Sequence, residues 1–171
     1  MRDWFYEQMA MYAAYHRNWK NQLTHHIGVP MIVFSLLVIA STVKIADFET
    51  GPLTLAAVLM GLLLLFYVLS APLVGVIAAF IYGALLFLAE TVSLMESPAA
   101  WQSFLVLFIV GWITQFTGHI FEKRKPALFD NLLQILIAPA FLIAELLFMA
   151  KLEQGLKAEV EDRMPQYMPK D

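Results

Sequence analysis

Charges punctuate this chain at wide intervals and leave long stretches free of them. Between Glu49 and Glu90 lie 40 consecutive uncharged residues, and between Glu96 and Glu122 another 25. A run of about 20 apolar residues crosses a bilayer as a helix. The longer run is interrupted by a tight turn at Ala71-Pro72 and so predicts two spans, Leu53–Ser70 and Pro72–Ala89. The run before Glu122 predicts another, Trp101–Thr117, and the earliest apolar segment a first, His25–Val43, with Pro30 in its opening turns. Lys44, Asp47, Glu49 and Gly51-Pro52 form the loop after the first span, and Glu90 to Pro98 the loop before the fourth. On the third span Gly75, Ala79 and Gly83 recur every four residues, a pattern that lets helices approach closely in lipid. It is read as packing.

The two ends are less regular. Asp3 can cap a helix running to about Tyr15, with Phe5, Met9 and Tyr12 on one stripe and Trp4, Met11 and Tyr15 beside it. An aromatic-rich amphipathic segment of this kind suits a helix lying in the membrane interface. The polar stretch His16–Asn21 follows, with Asn18 positioned to N-cap the next helix. After the fourth span come Glu122-Lys-Arg-Lys125 and then Leu132–Met149, an apolar stretch interrupted by Pro139 and Glu145. Arg2, Arg17 and Lys20 precede the first span and Lys123, Arg124 and Lys125 follow the fourth, whereas the opposite loops offer only Lys44. The positive-inside rule therefore puts both basic clusters in the cytoplasm. A full crossing by Leu132–Met149 would carry Lys151, Lys157, Arg163 and Lys170 outside, so this stretch is predicted to be re-entrant or interfacial, broken at Pro139. The expected fold is an all-α membrane protein with about four transmembrane helices, an N-terminal interfacial helix and a broken C-terminal one. It forms a single integral domain over residues 1–171: interfacial helix and loop in 1–20, four spans in 25–119, basic loop and broken helix in 120–152, polar tail in 153–171.

Composition agrees. The chain is 60% hydrophobic with a mean hydropathy of +0.69, and 15% charged where a soluble domain keeps about a quarter. It has no cysteine, which excludes disulfides, iron–sulfur clusters and thiolate zinc sites and leaves nitrogen and oxygen ligands for any metal. A net charge of −3 and the lack of a long basic run argue against nucleic acid as a partner. The opening residues lack the basic-then-apolar pattern of a cleaved signal peptide, so the first span is expected to serve as its own anchor.

Four histidines are present: His16, His25, His26 and His119. The predicted topology brings His16 and His25 to the entrance of the first span and His119 to the exit of the fourth, on the same face. One histidine at an interface is most often simply wetted. A set confined to one face, at membrane depth where ionisable groups are costly, points to a task. His16 and His25 are nine residues apart, on opposite sides of one continuous helix, so they converge only if the chain bends between them. Asn18 and Asn21 share a face with His25 and either orient its imidazole or only cap and pack the helix. His119 and Glu122 lie three apart on one face. Two or three histidines with a carboxylate and open positions suit non-heme Fe2+ and oxygen chemistry; zinc with an activated water matches the same donors. A membrane di-iron hydroxylase would need about twice as many histidines. Glu145 is a ligand or proton relay if buried beside the histidines, and a water-facing group if the last helix lies flat.

The segment Tyr15–Pro30, with His16, Asn18, Asn21, His25 and Gly28, resembles the N-terminal signature of the 2-hydroxy fatty acid dioxygenase family. Trp112–Leu128, with Gln115, Gly118, His119, Glu122 and Pro126, resembles its second signature, and the likeness runs on through Asp130-Asn131 to Ala138-Pro139 and Glu145. This resemblance implies an Fe2+-dependent, heme-free oxygenase of fatty acid α-oxidation, in which a 2-hydroxy fatty acid and O2 give an acid one carbon shorter. It assigns His16, His25 and His119 as iron ligands. Glu122 either ligates the iron or holds a histidine, and His26, where the family carries other residues, is supporting or structural. Asn18, Asn21, Gln115, Lys123, Arg124 and Glu145 are candidates to support the ligands or meet the substrate. Arg17, Lys20 and Lys125 also lie where its carboxylate would arrive, though such cations are commonly topogenic. The expected setting is a bacterial inner membrane or the endoplasmic reticulum, with the site on the cytoplasmic face. Two other classes compete: a bis-histidine heme electron carrier, which a Soret band would reveal, and a non-enzymatic lipid carrier or scaffold, which would bind no stoichiometric metal.

Overall fold

Seven helices and one small hairpin account for the residues described by the computed structural model, 1–49, 51–95 and 98–169. The middle of the Glu90–Pro98 loop and Lys170 lie outside them. Helix α1 covers Arg2–Tyr15 and α2 Trp19–Ser41, six residues before the predicted span begins. Asn18 caps α2, its side chain accepting from the Lys20 backbone N–H. The predicted loop after the first span is a two-stranded antiparallel hairpin, β1 Lys44–Phe48 against β2 Gly51–Thr54. Thr54 ends it by capping α3, Leu55–Ser70, while its hydroxyl donates to Glu90 at 2.8 Å. Pro72 occupies the first turn of α4, Pro72–Ser93, where its missing N–H costs nothing. Helix α5 covers Ala99–Glu122 and is ended by Lys123 in the left-handed conformation. Helices α6 and α7 are Gln134–Met149 and Gln154–Arg163.

Helices are the economical solution here because each satisfies its own backbone hydrogen bonds in lipid. Three of them, α2, α4 and α5, are long and apolar enough to cross a membrane. With 16 residues, α3 is about 24 Å long, short of a hydrocarbon core of about 30 Å. The α6–α7 pair passes the same test only as a bent unit, its two halves 117° apart.

Three expectations change. The break at the C-terminus is not at Pro139, which sits inside a continuous α6. It falls after Met149, where Lys151 and Glu153 both adopt left-handed backbone. A proline near a helix start removes a single backbone bond, and two left-handed residues with one residue between them reorient a chain far more. Second, the α1 stripe of Phe5, Met9 and Tyr12 is buried in protein: α1 packs on α6, α7 and α3, with Phe5 against Phe66 and Tyr67, and Tyr12 against Phe141. That packing is possible because α6 is buried without a break from Ile137 to Ala144, apolar on all sides as an enclosed helix must be. Third, of the two glycines in the Gly75-Ala79-Gly83 row, Gly75 makes a close approach, to the Val68 backbone beside the α3–α4 turn, and Gly83 does not. The buried stripe of α4 runs instead through Val74, Ala78 and Tyr82, and nothing lies near Gly83.

Candidate metal centre

The most extensive pairing in the bundle is that of α2 with α5. Glycines set its spacing. A Cβ on Gly28 would sit 2.9 Å from the Gly111 carbonyl oxygen, one on Gly111 would lie 2.7 Å from Ile32 Cγ1, and one on Gly118 would overlap Thr24 Oγ1 and reach Asn21 Oδ1 at 2.5 Å. With hydrogens there instead, the helix backbones approach closely enough for side chains one turn away to meet across the gap.

His25 from α2 and His119 from α5 are two of those side chains. His16 joins them because α1 ends at it, with φ −133° and ψ 64°, before Asn18 starts α2. This is the bend that the nine-residue separation required. The three rings have centroids 4.4, 5.2 and 4.9 Å apart, and each offers a nitrogen such that all three lie within 4.8 Å of one another. All are buried. His16 stacks on Tyr12 with centroids 3.9 Å apart, which fixes the ring plane.

The protons of two rings can be assigned. His16 Nδ1 is 2.7 Å from the Tyr12 carbonyl and His25 Nδ1 2.8 Å from the Asn21 carbonyl. A carbonyl only accepts, so both Nδ1 atoms carry hydrogen and donate. In neutral rings both Nε2 atoms are then lone-pair acceptors, yet they face each other at 3.1 Å. Burial keeps His16 neutral, holding its pKa well below the ordinary histidine value, and the neighbouring His25 adds to that depression. Two facing lone pairs repel unless a cation lies between them. Nitrogens bonded to one ion at about 2.1 Å, in tetrahedral or octahedral positions, are themselves about 3.0–3.4 Å apart. His119 Nδ1 is buried and has no hydrogen-bond partner among the described residues. Donor type, tautomers and spacing thus fit a transition-metal ion, and the i−4 carbonyls acting on His16 and His25 are the usual way a ligating imidazole is oriented.

The other candidates are placed differently. The Glu122 carboxylate accepts from the backbone N–H groups of Arg17 at 3.1 Å and Asn18 at 2.8 Å, and from Asn21 Nδ2 at 3.0 Å. It is the anion at the α2 N-terminus and is outside the cluster of ligand atoms. Its influence on His25 passes through Asn21, whose side chain it holds and whose carbonyl holds the ring. His26 faces away from the cluster: its Nδ1 is 2.9 Å from the Gln22 carbonyl and 3.6 Å from Glu145. Glu145 therefore pairs with His26 and is no member of the three-histidine group. The cations are engaged elsewhere or exposed. Arg124 donates to the carbonyls of Ala14 and Tyr167 and lies 3.3 Å over the Tyr15 ring. Lys125 pairs with Asp130 at 2.5 Å, Lys20 lies over Phe121, and Lys123 is exposed.

A cavity of about 320 Å³ adjoins the cluster. Besides the three histidines it is lined on α2 by Val29, Ile32, Val33 and Leu36, on α5 by Phe108, Trp112 and Gln115, and on the far side by residues of the Pro126–Leu128 segment and α6. Among the described residues no lysine or arginine lines it. The exposed side chains of Leu36 and Ile135 mark where it opens toward the lipid-facing surface. Sequence reading had no means to find this chamber, whose apolar walls look like any span.

A helical membrane protein carrying a buried nest of three imidazoles at the end of an apolar chamber is the class that fold and site define. The sequence profile described as "Mpo1-like: 2-hydroxy-palmitic acid dioxygenase Mpo1-like" matches residues 3–150, and the chain belongs to that family. It is similar to the 2-hydroxy-palmitic acid dioxygenase MPO1 of Saccharomyces cerevisiae, 41% identical over 158 residues that cover 90% of this chain and 86% of the yeast protein. No solved structure matches it.

Proposed function

We propose that this chain is an Fe2+-dependent dioxygenase that uses O2 to convert a 2-hydroxy fatty acid into a fatty acid one carbon shorter, the carboxyl carbon leaving as CO2 and the balance as water, with its site at the cytoplasmic face of the membrane. The observation that carries the reading is the pair of facing Nε2 lone pairs of His16 and His25, completed by His119, at the polar end of an otherwise apolar cavity. The family's name, a dioxygenase of a 2-hydroxy acid with a palmitic chain, supplies the substrate class.

His16, His25 and His119 would hold the ion. When bound, it supplies a template for the hydroxyl and carboxylate oxygens of the head and an electron source for O2. Everything else is the work of the chain's own backbone and side chains. The i−4 carbonyls of Tyr12 and Asn21 keep the Nδ1 protons of His16 and His25 and so direct their Nε2 lone pairs into the site. Val29, Ile32, Val33, Leu36, Phe108 and Trp112 offer the acyl chain an apolar wall along α2 and α5 and exclude water from the head. The opening toward lipid matches a substrate already dissolved in the bilayer. Lys and Arg clusters at the histidine end favour the cytoplasmic side.

A bis-histidine heme is disfavoured. Axial nitrogens on opposite faces of a porphyrin are separated by on the order of 4 Å, two metal–nitrogen bonds, with the macrocycle between them; 3.1 Å leaves no such space. The test is anaerobic reconstitution with Fe2+, followed by O2 and 2-hydroxypalmitate and mass spectrometry of the acids. Formation of the acid one carbon shorter, with one iron per chain and no Soret band, is expected. Recovery of intact 2-hydroxypalmitate from iron-loaded protein would overturn the reading.

A further inference from the structure

Of the four buried side-chain amides among the described residues, Gln8, Asn21, Gln115 and Gln134, three make at least one hydrogen bond and one makes none. Asn21 donates to Glu122, and Gln8 accepts from both Asn131 at 2.6 Å and Gln134 at 2.9 Å. Gln115 is equally enclosed, 7% exposed, and lines the cavity, yet its amide takes part in no hydrogen bond among the described residues. Its amide nitrogen and oxygen are not among the fully enclosed, unpartnered polar atoms, which include Asn21 Oδ1 and Gln134 Oε1; they are open to the cavity and free to bond what enters it.

Its position is specific. Gln115 stands one turn before His119 on α5. Across the gap is Gly28, one turn beyond His25 on α2, and a Cβ there would come within 3.0 Å of Gln115 Cγ. Bare backbone at Gly28 therefore leaves the glutamine stem its place, at the level where the polar histidine end of the cavity passes into the apolar wall of Val29, Ile32 and Trp112. The head of a bound acid would sit at that boundary. Among the described residues no lysine or arginine lines the cavity to receive it.

We propose that Gln115 reads the polar head of the substrate, its NH2 donating to a carboxylate oxygen and its carbonyl accepting from the 2-hydroxyl. This rests on the reading above that the cavity takes a 2-hydroxy fatty acid. An ionised 2-hydroxy acid has acceptors on its carboxylate and one donor, the hydroxyl, and a carboxamide complements both. An unsubstituted acid or a 2-oxo acid lacks the donor, so one contact is lost and the Gln115 carbonyl stays unpartnered. Discrimination against a ligand missing a hydrogen bond that the site is built to make is characteristically strong.

The experiment uses the full chain in detergent micelles and two variants. Gln115→Met keeps the length of the side chain and removes both polar functions; Gln115→Glu keeps the shape and sets a carboxylate against a carboxylate. Binding of 2-hydroxypalmitate and of palmitate to metal-free protein is followed by tryptophan emission, which Trp112 in the cavity wall makes responsive. Wild type is expected to favour 2-hydroxypalmitate. Gln115→Met is expected to lose roughly tenfold or more of that preference, weakening palmitate, which loses only the contact to its carboxylate, less than 2-hydroxypalmitate, and Gln115→Glu to bind 2-hydroxypalmitate more weakly still. In the iron-loaded protein the Met variant is expected to show a KM for 2-hydroxypalmitate raised by a similar factor. A preference retained in Gln115→Met overturns the proposal, and so does equal loss of both acids, which would mark a glutamine that only packs α2 on α5. Absence of any preference in wild type would instead remove the substrate reading beneath it.

Discussion

Two helix pairs in this bundle come close enough for glycine to matter, and they are used differently. Helices α3 and α4 approach at Gly75, beside their connecting turn, and farther along Gly61 and Gly83 have nothing near them. Leu59, Leu62, Leu65, Phe80 and Phe87 are exposed on this pair, as lipid-facing side chains should be. Helices α2 and α5 approach at three glycines, Gly28, Gly111 and Gly118, spread over two turns. Between them sit Asn21, Thr24, His25, Gln115 and His119. A single close point makes a hairpin. A sustained one encloses polar side chains that lipid would not tolerate, and gives them only each other, or a ligand, as partners. Small residues at helical spacing thus mark a site only when both helices of a pair carry them at the same level.

The largest expected effect comes from emptying the α2–α5 seam of its imidazoles. His16→Ala, His25→Ala and His119→Ala are each expected to abolish stoichiometric iron binding and to reduce formation of the shortened acid to background. His26→Ala is expected to keep its iron, because that ring faces Gln22 and Glu145. Metal analysis of chelator-free preparations, with product analysis on the same samples, separates the four. Iron retained in any of the first three would remove that residue from the set.

Next in size is a direct contrast between the two seams. Gly118→Ala would drive a methyl group into Thr24 Oγ1 and toward Asn21 Oδ1, parting the helices where Asn21 orients His25. Iron affinity is expected to fall roughly 10- to 100-fold, the usual cost of disturbing groups that orient ligands. Gly83→Ala meets open space and is expected to stay within about 0.5 kcal/mol of wild type. Competition with a chelator and thermal unfolding of both variants provide the check. Equal effects would mean that close approach in the α2–α5 seam has nothing to do with the site.

Much of this was legible in the sequence, for physical reasons. Long charge-free runs have few uses outside a membrane, so the helical spans followed from counting. That His16, His25 and His119 approach one another followed from topology alone, and the bend between the first two from a polar stretch with a capping asparagine. What could not be read were matters of which surface covers which. An apolar stripe on α1 looks the same whether lipid or α6 lies against it. His119 and Glu122 share a face of α5 by spacing, but the free N–H groups of the α2 N-terminus are nearer to that carboxylate than the histidine cluster is. Gly111 and Gly118 are seven residues apart, and nothing in the chain says that Gly28 faces them.

A smaller effect is expected at Glu122, where the seam meets its cap. Glu122→Gln removes the negative charge from the α2 N-terminus and sets an NH2 group against the backbone N–H groups of Arg17 and Asn18. The loss is expected to be about 1–3 kcal/mol, the worth of hydrogen bonds to a charged group. It should appear as an unfolding temperature lowered by several degrees. Because the effect on His25 is relayed through Asn21, iron affinity is expected to drop less than in Gly118→Ala. A loss of iron as complete as in the histidine variants would make Glu122 a ligand after all.

The smallest effect tests where the α2–α5 chamber ends. From His25 to Leu36 and from His119 to Phe108 are eleven residues each, so the two walls run about 16 Å from the histidines. An extended alkyl chain advances about 1.3 Å per carbon, given carbon–carbon bonds of about 1.5 Å at near-tetrahedral angles. The chamber therefore holds about a dozen carbons beyond the head before Phe108 and Leu36 are reached. Phe108 is held in an aromatic row, with ring centroids 5.3 Å from Phe104 and 6.1 Å from Trp112, and is the α5 wall residue farthest from the histidines. Phe108→Ala removes that wall without touching the head. Across a homologous series of 2-hydroxy acids, the optimum of kcat/KM is expected to move toward longer chains, with a several-fold gain for the longest and little change in kcat for the best substrate. An unmoved optimum would mean that the chain leaves sideways past Leu128 and Ile135, and that the depth of the seam does not measure it.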